Sequence, residues 1–576
     1  MRSARLLDSR PLVWIAGGAL VLVTVAAQLS SIATPDMAFL LYAAGKLLEG
    51  ARLYQDIIEI NPPLIMWLNL PVVLLARALG ASEFAIYRLT SAAALLAVLL
   101  LCRYLLRAHV LPDQPRIRRL LLLSLVFVLF PLAGDDFGQR EEFVLAAFLP
   151  YLLVVAVRVR GGKPQTGALA VGVGMLAGLA VALKPHFGLL WLAVEAWQRI
   201  RRSGRGLAPT PESAAALGFL LAYAAAVVVL APDYLRLAVE LGPAYTTFLH
   251  EPWYRLLALA PGAALVWFGL LAALALRRSV IEPEVVALLA VTVAAAFAAG
   301  AAQQKGLPYH FLPARGLAFV LVTVTALAAG QANGVAERLY ARVGRILVAT
   351  MILVVPARAA LTAVGALSPA QRRVRAEVFG LADFVRARAG GEPVGVLSYH
   401  IASAFPMVNY AGVTLASRFP HLWLLPASYW EEFGKEGPLR YRAAEAMPPT
   451  ERYLNQAVRE DLLRTRPRLL LVMRPARDVK KNYLRRIHYI EYFGRDPELN
   501  RFFADYQFIA VKGEYDVYER LRPSDTRVAH GPSRTAGSLD VKSPERLRLA
   551  VISPDFTVGL AVFLVLWLGT VRRRPS

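Results

Sequence analysis

The stretch DMAFLLYAAGKLLEGARLYQDIIEINPPLIMWLNLPVVLLARALGASEFAIYR, residues 36–88, decides how this chain is read. It follows directly on the first apolar run of membrane length, residues 12–30, and keeps Asp36, Asp56 and Glu59 at the mouth of that run. Carboxylates are costly inside a bilayer and cheap just outside it, so acids held at a helix exit point to a substrate handled there. Within the stretch, Asn61-Pro62-Pro63 forces a turn, because a residue before proline is pushed out of the helical region. The segment that follows, 62–80, is apolar and long enough to suggest a crossing.

Working outward, the chain of 576 residues is 57% hydrophobic with a mean hydropathy of +0.48, well above soluble domains. Apolar runs of membrane length recur along most of it, which makes it a polytopic α-helical membrane protein. The net charge of +23 does not gather into one basic patch. Lys and Arg fall in short loops between apolar runs, the pattern of cytoplasmic loops, and this excludes nucleic acid as a partner. The single cysteine, Cys102, lies inside an apolar run and excludes an intramolecular disulfide. The basic start followed by a run of spanning length reads as a retained first helix with its N-terminus in the cytoplasm.

Orienting the runs by their flanking Lys and Arg gives about twelve crossings: 12–30, 84–105, 118–133, 143–158, 166–183, 187–199, 213–231, 256–276, 284–302, 312–330, 346–363 and 549–570. Every Arg-rich loop then falls on one side and the acidic loops on the other, with both termini cytoplasmic. The scheme holds only if 62–80 does not cross, so that segment is expected to be a juxtamembrane or re-entrant helix on the outer face. The expected organisation is a membrane domain over 1–365 with a first outer loop at 31–83, an outer α/β domain and linker over 366–548, and a last helix with a basic tail over 549–576. Within the outer domain the pattern predicts helices near 370–389 and 452–465, strands at 394–398, 413–417 and 468–473, and a hairpin over 508–521 turning at Lys512-Gly513. Residues 522–548 read as a loose polar linker.

The candidate chemistry sits at outward helix ends. Asp36 lies where the first helix leaves the membrane, where a carboxylate suits a general base; Asp is equally at home as an N-cap, and the two roles are compatible. FLLYAAGKLLEG reads as a short amphipathic helix ending at Gly50. Asp56 and Glu59 are spaced to share a helix face. The loop Gly134-Asp135-Asp136-Phe137-Gly138-Gln139-Arg140-Glu141-Glu142 is dense in both signs, as a ligand-facing loop would be, though a solvated turn has the same composition. Asp135 and Asp136 alone do not make a divalent-cation site; no cofactor is indicated and a divalent cation stays open. Lys184, His186, Lys305, Tyr309, His310 and Arg315 fall on the same outer side, where cations beside carboxylates suit a lipid phosphate and a polar acceptor, while snorkelling accounts for any single lysine. No GxSxG, HExxH, Walker-type or CxxC motif is present.

The order of these features resembles a known family. An outward first helix with Asp36 at its exit is followed by Gly50, Tyr54 and Asp56 in a G-x-x-x-Y-x-D pattern, then Pro62-Pro63-Leu64, then LGASEFAIYRLTSA. Together with GLAVALKPHFGLLW and KGLPYHFLPAR, this resembles the lipid-dependent GT-C glycosyltransferases around the protein O-mannosyltransferases and lipid A aminoarabinose transferases (glycosyltransferase family 39). The resemblance covers most of residues 10–365. It implies inverting transfer of a hexosyl or pentosyl group from a polyprenyl-phosphate donor to an envelope glycolipid, polysaccharide or protein, at the periplasmic face of a bacterial inner membrane. Asp36 matches the family's first-loop acid, and Lys184 and Lys305 match its cationic positions more loosely. Met37 departs from the Asp-Glu pair common there, and Asn61 replaces a lysine, which leaves phosphate contact to Arg52 or Lys305. A lipid-linked glycan polymerase or ligase would instead carry its Arg and His in a large late loop. A transporter would bury ionisable residues mid-span and show duplicated halves.

Overall fold

The computed structural model describes residues 10–163, 165–201, 209–276, 282–331, 334–365, 369–433, 439–476 and 483–521. The protein is a polytopic helical membrane protein capped at one end of its bundle by a small mixed domain. Among the described residues eight helices are long and apolar enough to cross a membrane. A ninth crossing would come from Trp253–Leu259 and Ala263–Leu276, which meet at 76°. The remaining three of the about twelve expected crossings are two runs that form shorter helices and one that lies outside the described residues. The run at 166–183 forms a 17-residue helix, Gly167–Leu183, and the run at 187–199 forms Gly188–Arg201 of 14 residues. Pro185 stands between the two, breaking the apolar stretch in a short turn. The expected helix at 549–570 and the linker at 522–548 lie outside the described residues.

The segment 64–79 is a helix of 16 residues closed by Gly80 in the left-handed conformation. At 1.5 Å per residue it is about 24 Å long, shorter than a hydrocarbon core requires. The two ends of residues 31–83 also meet. Arg88, in the first turns of Glu83–Leu105, donates through Nη2 to Ser31 Oγ and to the Ile32 carbonyl, each at 3.1 Å. The chain therefore leaves the first span and enters the next at the same end of the bundle.

Helices Arg140–Val159 and Pro308–Ala329 form the middle of the bundle, each with 78% of its apolar window buried. Gly174 and Gly178 lie against the backbone of Pro211–Leu230, where a Cβ would strike the carbonyls of Glu212 and Ala216. Small residues here let two helices touch, as the glycine spacing in this span suggests.

The mixed domain is a four-stranded sheet in the order β1-β2-β4-β3, with β1 Val394–Leu397, β2 Leu469–Met473, β3 Tyr506–Lys512 and β4 Tyr515–Arg520. β1 and β2 run parallel, the other neighbours antiparallel. β1 and β2 are buried along their whole length, as their unbroken apolar runs require. The hairpin turns at Gly513, whose φ is 56°. The expected strand at 413–417 is not one. Its residues pair with Val394 alone, and Arg418 then leaves the sheet to bind Asp461 through its backbone N–H at 2.8 Å and its guanidinium at 2.9 Å.

The domain is seated on the bundle by apolar packing and backbone hydrogen bonds. Tyr54 and Ile58 from the first loop, and Leu237, Leu241 and Phe248 from the helix Asp233–Thr247 and its exit, share one core with the domain's Trp423, Leu425 and Leu470. The Ile58 N–H donates to the Arg418 carbonyl at 2.8 Å.

Candidate active site

The end of the bundle beneath this domain collects the charged groups. The helix Pro35–Leu48 begins with Thr34 at its cap position, so Asp36 is the second helical residue and not the cap. Its carboxylate is half-buried and sits where the helix dipole favours negative charge. Opposite it, Gln139 ends the charged loop and Arg140 opens the central helix. The loop is pinned by its backbone: Gln28 donates to the Gly134 carbonyl at 2.7 Å, the Gly138 N–H donates to Glu142 at 2.6 Å, and the Tyr87 hydroxyl donates to the Gly138 carbonyl. Gly134 and Gly138 both have positive φ, which a side chain would strain.

Arg140 is 6% exposed and Glu141 is fully buried. Lys184 is 3% exposed and pairs with Glu141 at 3.1 Å. Pro185 sets this contact, because it forces Lys184 into an extended conformation that swings the side chain off the helix end. Burial and then the neighbouring Arg140 hold the Lys184 ammonium below the ordinary lysine range, while Glu141 and Asp36 oppose the shift. Arg140 in turn lies among the charges of Glu141, Glu59 and Asp36 and the hydroxyl of Tyr309. Two of its guanidinium nitrogens, Nε and Nη1, are buried without a hydrogen-bond partner among the described residues. A buried donor left open costs about 1–3 kcal/mol, more when charged.

Asp136 belongs to the same group, with Arg315, Asp135, Glu141 and Asp36 as its charged neighbours. Asp135 is exposed beside it. His186 shares a 2.8 Å hydrogen bond with Gln303, and burial together with Lys184 and Arg140 pushes its imidazole down to about 3, so it is neutral. His310 is 1% exposed with Nδ1 unpartnered among the described residues.

Other expected residues are placed differently. Lys305 donates to the carbonyls of Tyr245 and Phe248 and lies 4.6 Å over the Tyr245 ring, so its ammonium fastens the end of Asp233–Thr247. Burial pushes it down to about 8. Asp56 is exposed and turned to Arg52, whose backbone N–H at 2.9 Å holds the carboxyl below the usual range. Glu59 folds back on Asn61, accepting from its N–H at 2.8 Å, yet remains among the charges around Arg140. Asp56 and Glu59 thus have separate partners.

Several contributing residues carry no sequence signal of their own. Tyr245 has Glu59, Arg140, Asp36 and Glu141 as electrostatic neighbours, and burial raises its phenol to about 12. Gln303 and Arg88 join through long-range contacts that no local pattern announces. Among the described residues no group of His, Cys, Asp and Glu is arranged to hold a metal ion.

No family model and no curated protein matches the chain. Solved structures similar to it include two of one protein. One is ArnT from Cupriavidus metallidurans bound to undecaprenyl phosphate, with a TM-score of 0.49 and 15% identity over 88% of this chain and 97% of that one. The other is the same protein in the apo state, with a TM-score of 0.46 and 14% identity over 88% and 98%.

Proposed function

We propose that this protein is a membrane glycosyltransferase that moves a pentosyl or hexosyl group from a polyprenyl-phosphate donor to an envelope acceptor, with its active site at the periplasmic end of the bundle. One observation carries the reading: a buried arginine with two open nitrogens, Arg140, lies within electrostatic reach of a half-buried carboxylate, Asp36, at a helix exit. The donor's phosphate fits the open face of Arg140, whose planar guanidinium matches phosphate oxygens. Lys184 adds charge from a position fixed by Glu141.

In the reaction, the acceptor oxygen forms a bond to the anomeric carbon as the bond from that carbon to the phosphate oxygen breaks. The bond electrons leave with the phosphate, and Asp36 takes the proton of the acceptor hydroxyl. Attack opposite the leaving group inverts the anomeric centre. Charge grows on the phosphate as the bond breaks, so Arg140 and Lys184 stabilise the transition state more than the bound donor. The prenyl tail stays in lipid against the exposed apolar flanks of the bundle. Lys305, which the sequence offered as a phosphate ligand, serves in this reading to fasten the loop above the pocket.

The test is Asp36→Asn in membranes supplied with labelled undecaprenyl-phosphate sugars. General-base catalysis is worth about 10²–10⁴-fold, so transfer falls by that factor at normal protein levels. Unchanged transfer removes Asp36 from the role.

A further inference from the structure

The helix that carries Asp36 is gripped along its length by one segment of the C-terminal domain. The Ala33 N–H, just before the helix, donates to the Tyr410 hydroxyl at 3.0 Å. Asn409 Nδ2 donates to the Ala38 carbonyl at 3.1 Å. One turn on, the Leu415 N–H donates to the Tyr42 hydroxyl at 3.0 Å, and one turn further Lys46 Nζ donates to Thr414 Oγ1 at 3.3 Å. Phe405 packs between these points, its ring 5.4 Å from Phe39 and 5.3 Å from Tyr42. The contacts at 38–39, 42 and 46 follow the spacing of one helix face. The segment itself is braced from behind: the Tyr410 ring meets Phe84 at 5.2 Å and Phe379 at 4.7 Å, and Arg386 donates to the Tyr410 carbonyl. From the membrane side, Arg88 fixes residues 31 and 32.

We propose that residues 405–415 are a positioning element for the first-loop acid, with Tyr410 and Asn409 as the positioning residues. The proposal rests on the reading of Asp36 as the base, and it gives the C-terminal domain a part in the reaction besides any contact with acceptor. The grip is polar at Ala33 and Ala38, on either side of Asp36, where a small shift of the backbone moves the carboxylate most. Misplacing a catalytic group by 1 Å costs on the order of 10²-fold. A domain that only received acceptor would have no need of hydrogen bonds to the backbone flanking this acid.

The experiment uses the full chain in lipid nanodiscs, with Tyr410→Phe and Asn409→Ala singly and together. Tyr410→Phe keeps the ring packed on Phe84 and Phe379 and loses only the hydroxyl, so a role in packing alone leaves it like the wild type. Hydrogen exchange read by mass spectrometry over residues 31–42 is expected to speed about 10-fold in the double variant. With labelled undecaprenyl-phosphate pentoses and hexoses, kcat is expected to fall about 10- to 100-fold while the donor KM stays within about twofold. Unchanged exchange, or unchanged kcat beside faster exchange, overturns the proposal. If Asp36→Asn itself transfers normally, the base assignment fails and the exchange measurement alone decides the grip: faster exchange upholds it and unchanged exchange ends it.

Discussion

The two ends of the central helix Arg140–Val159 carry the same kind of chemistry and partner it to different degrees. At the far end, Arg158 pairs with Glu212 and donates to Gln198 at 3.2 Å. Beside it Glu195 accepts from Tyr151, from Ser213 Oγ at 2.8 Å and from Gln198 at 3.3 Å. These groups tie together the helices Arg140–Val159, Gly188–Arg201 and Pro211–Leu230. At the near end, Arg140 keeps two buried nitrogens unpaired among the described residues, and the acids around it come from separate elements: Asp36 from the first loop, Glu59 from the turn before Pro62, Glu141 from the helix itself. Burial of charge is thus not the signature of a site. What distinguishes the ends is how far the protein partners the arginine: Arg158 pairs with Glu212 and leaves one buried nitrogen, Nη2, open, whereas Arg140 leaves two.

The comparison can be broken by substitution at either end. The largest effect after Asp36→Asn is expected for Arg140→Gln, which removes the phosphate ligand and lowers transfer by about 10²-fold, checked by labelled-sugar transfer with thermal unfolding unchanged. Glu195→Ala leaves the Tyr151 and Ser213 hydroxyls without their acceptor; it should cost about 2–4 kcal/mol of stability, seen as a lower Tm in detergent, while transfer per folded molecule is kept. A fall in transfer larger than the fall in folded protein would mean that the two ends are coupled. Lys305→Met should loosen the end of Asp233–Thr247, raising hydrogen exchange at 243–250 several-fold with the donor KM little changed. A large rise in donor KM would put Lys305 in the phosphate site instead. The smallest effect is expected at Asp56. Its native carboxyl titrates below the unfolded value, so its contribution is present above about pH 4 and is lost as pH falls through the lowered native value. The pair with Arg52 is exposed, so Asp56→Asn should change stability by less than about 0.5 kcal/mol, measured by unfolding at pH 7 against pH 3.

Much of this architecture was legible in the sequence, because membrane spans announce themselves by length and apolarity. The first loop was legible for the same reason: its acids stand out against apolar surroundings, and Pro62-Pro63 marks the turn. The break at Pro185 was legible too: the runs expected at 166–183 and 187–199 form the helices Gly167–Leu183 and Gly188–Arg201. The strand at 413–417 failed because its β-branched pattern was local while Asp461, forty-odd residues later, draws Arg418 away. The difference between Lys184 and Lys305 was not legible either. Both follow the end of a helix, but one lands on a carboxylate and the other on two carbonyls of a distant loop, and only the fold brings those acceptors near. Tyr410 and Asn409 were invisible for the same reason, lying more than 370 residues from the backbone they hold.

The central claim is that the open arginine receives a lipid phosphate while its counterpart eighteen residues on does not. The direct measurement is the affinity of purified protein for undecaprenyl phosphate, by titration in nanodiscs, for the wild type, Arg140→Gln and Arg158→Gln. Affinity should weaken about 10- to 100-fold in the first variant and stay within about twofold in the second, which should instead lose thermal stability. Equal affinities across all three proteins would contradict the account.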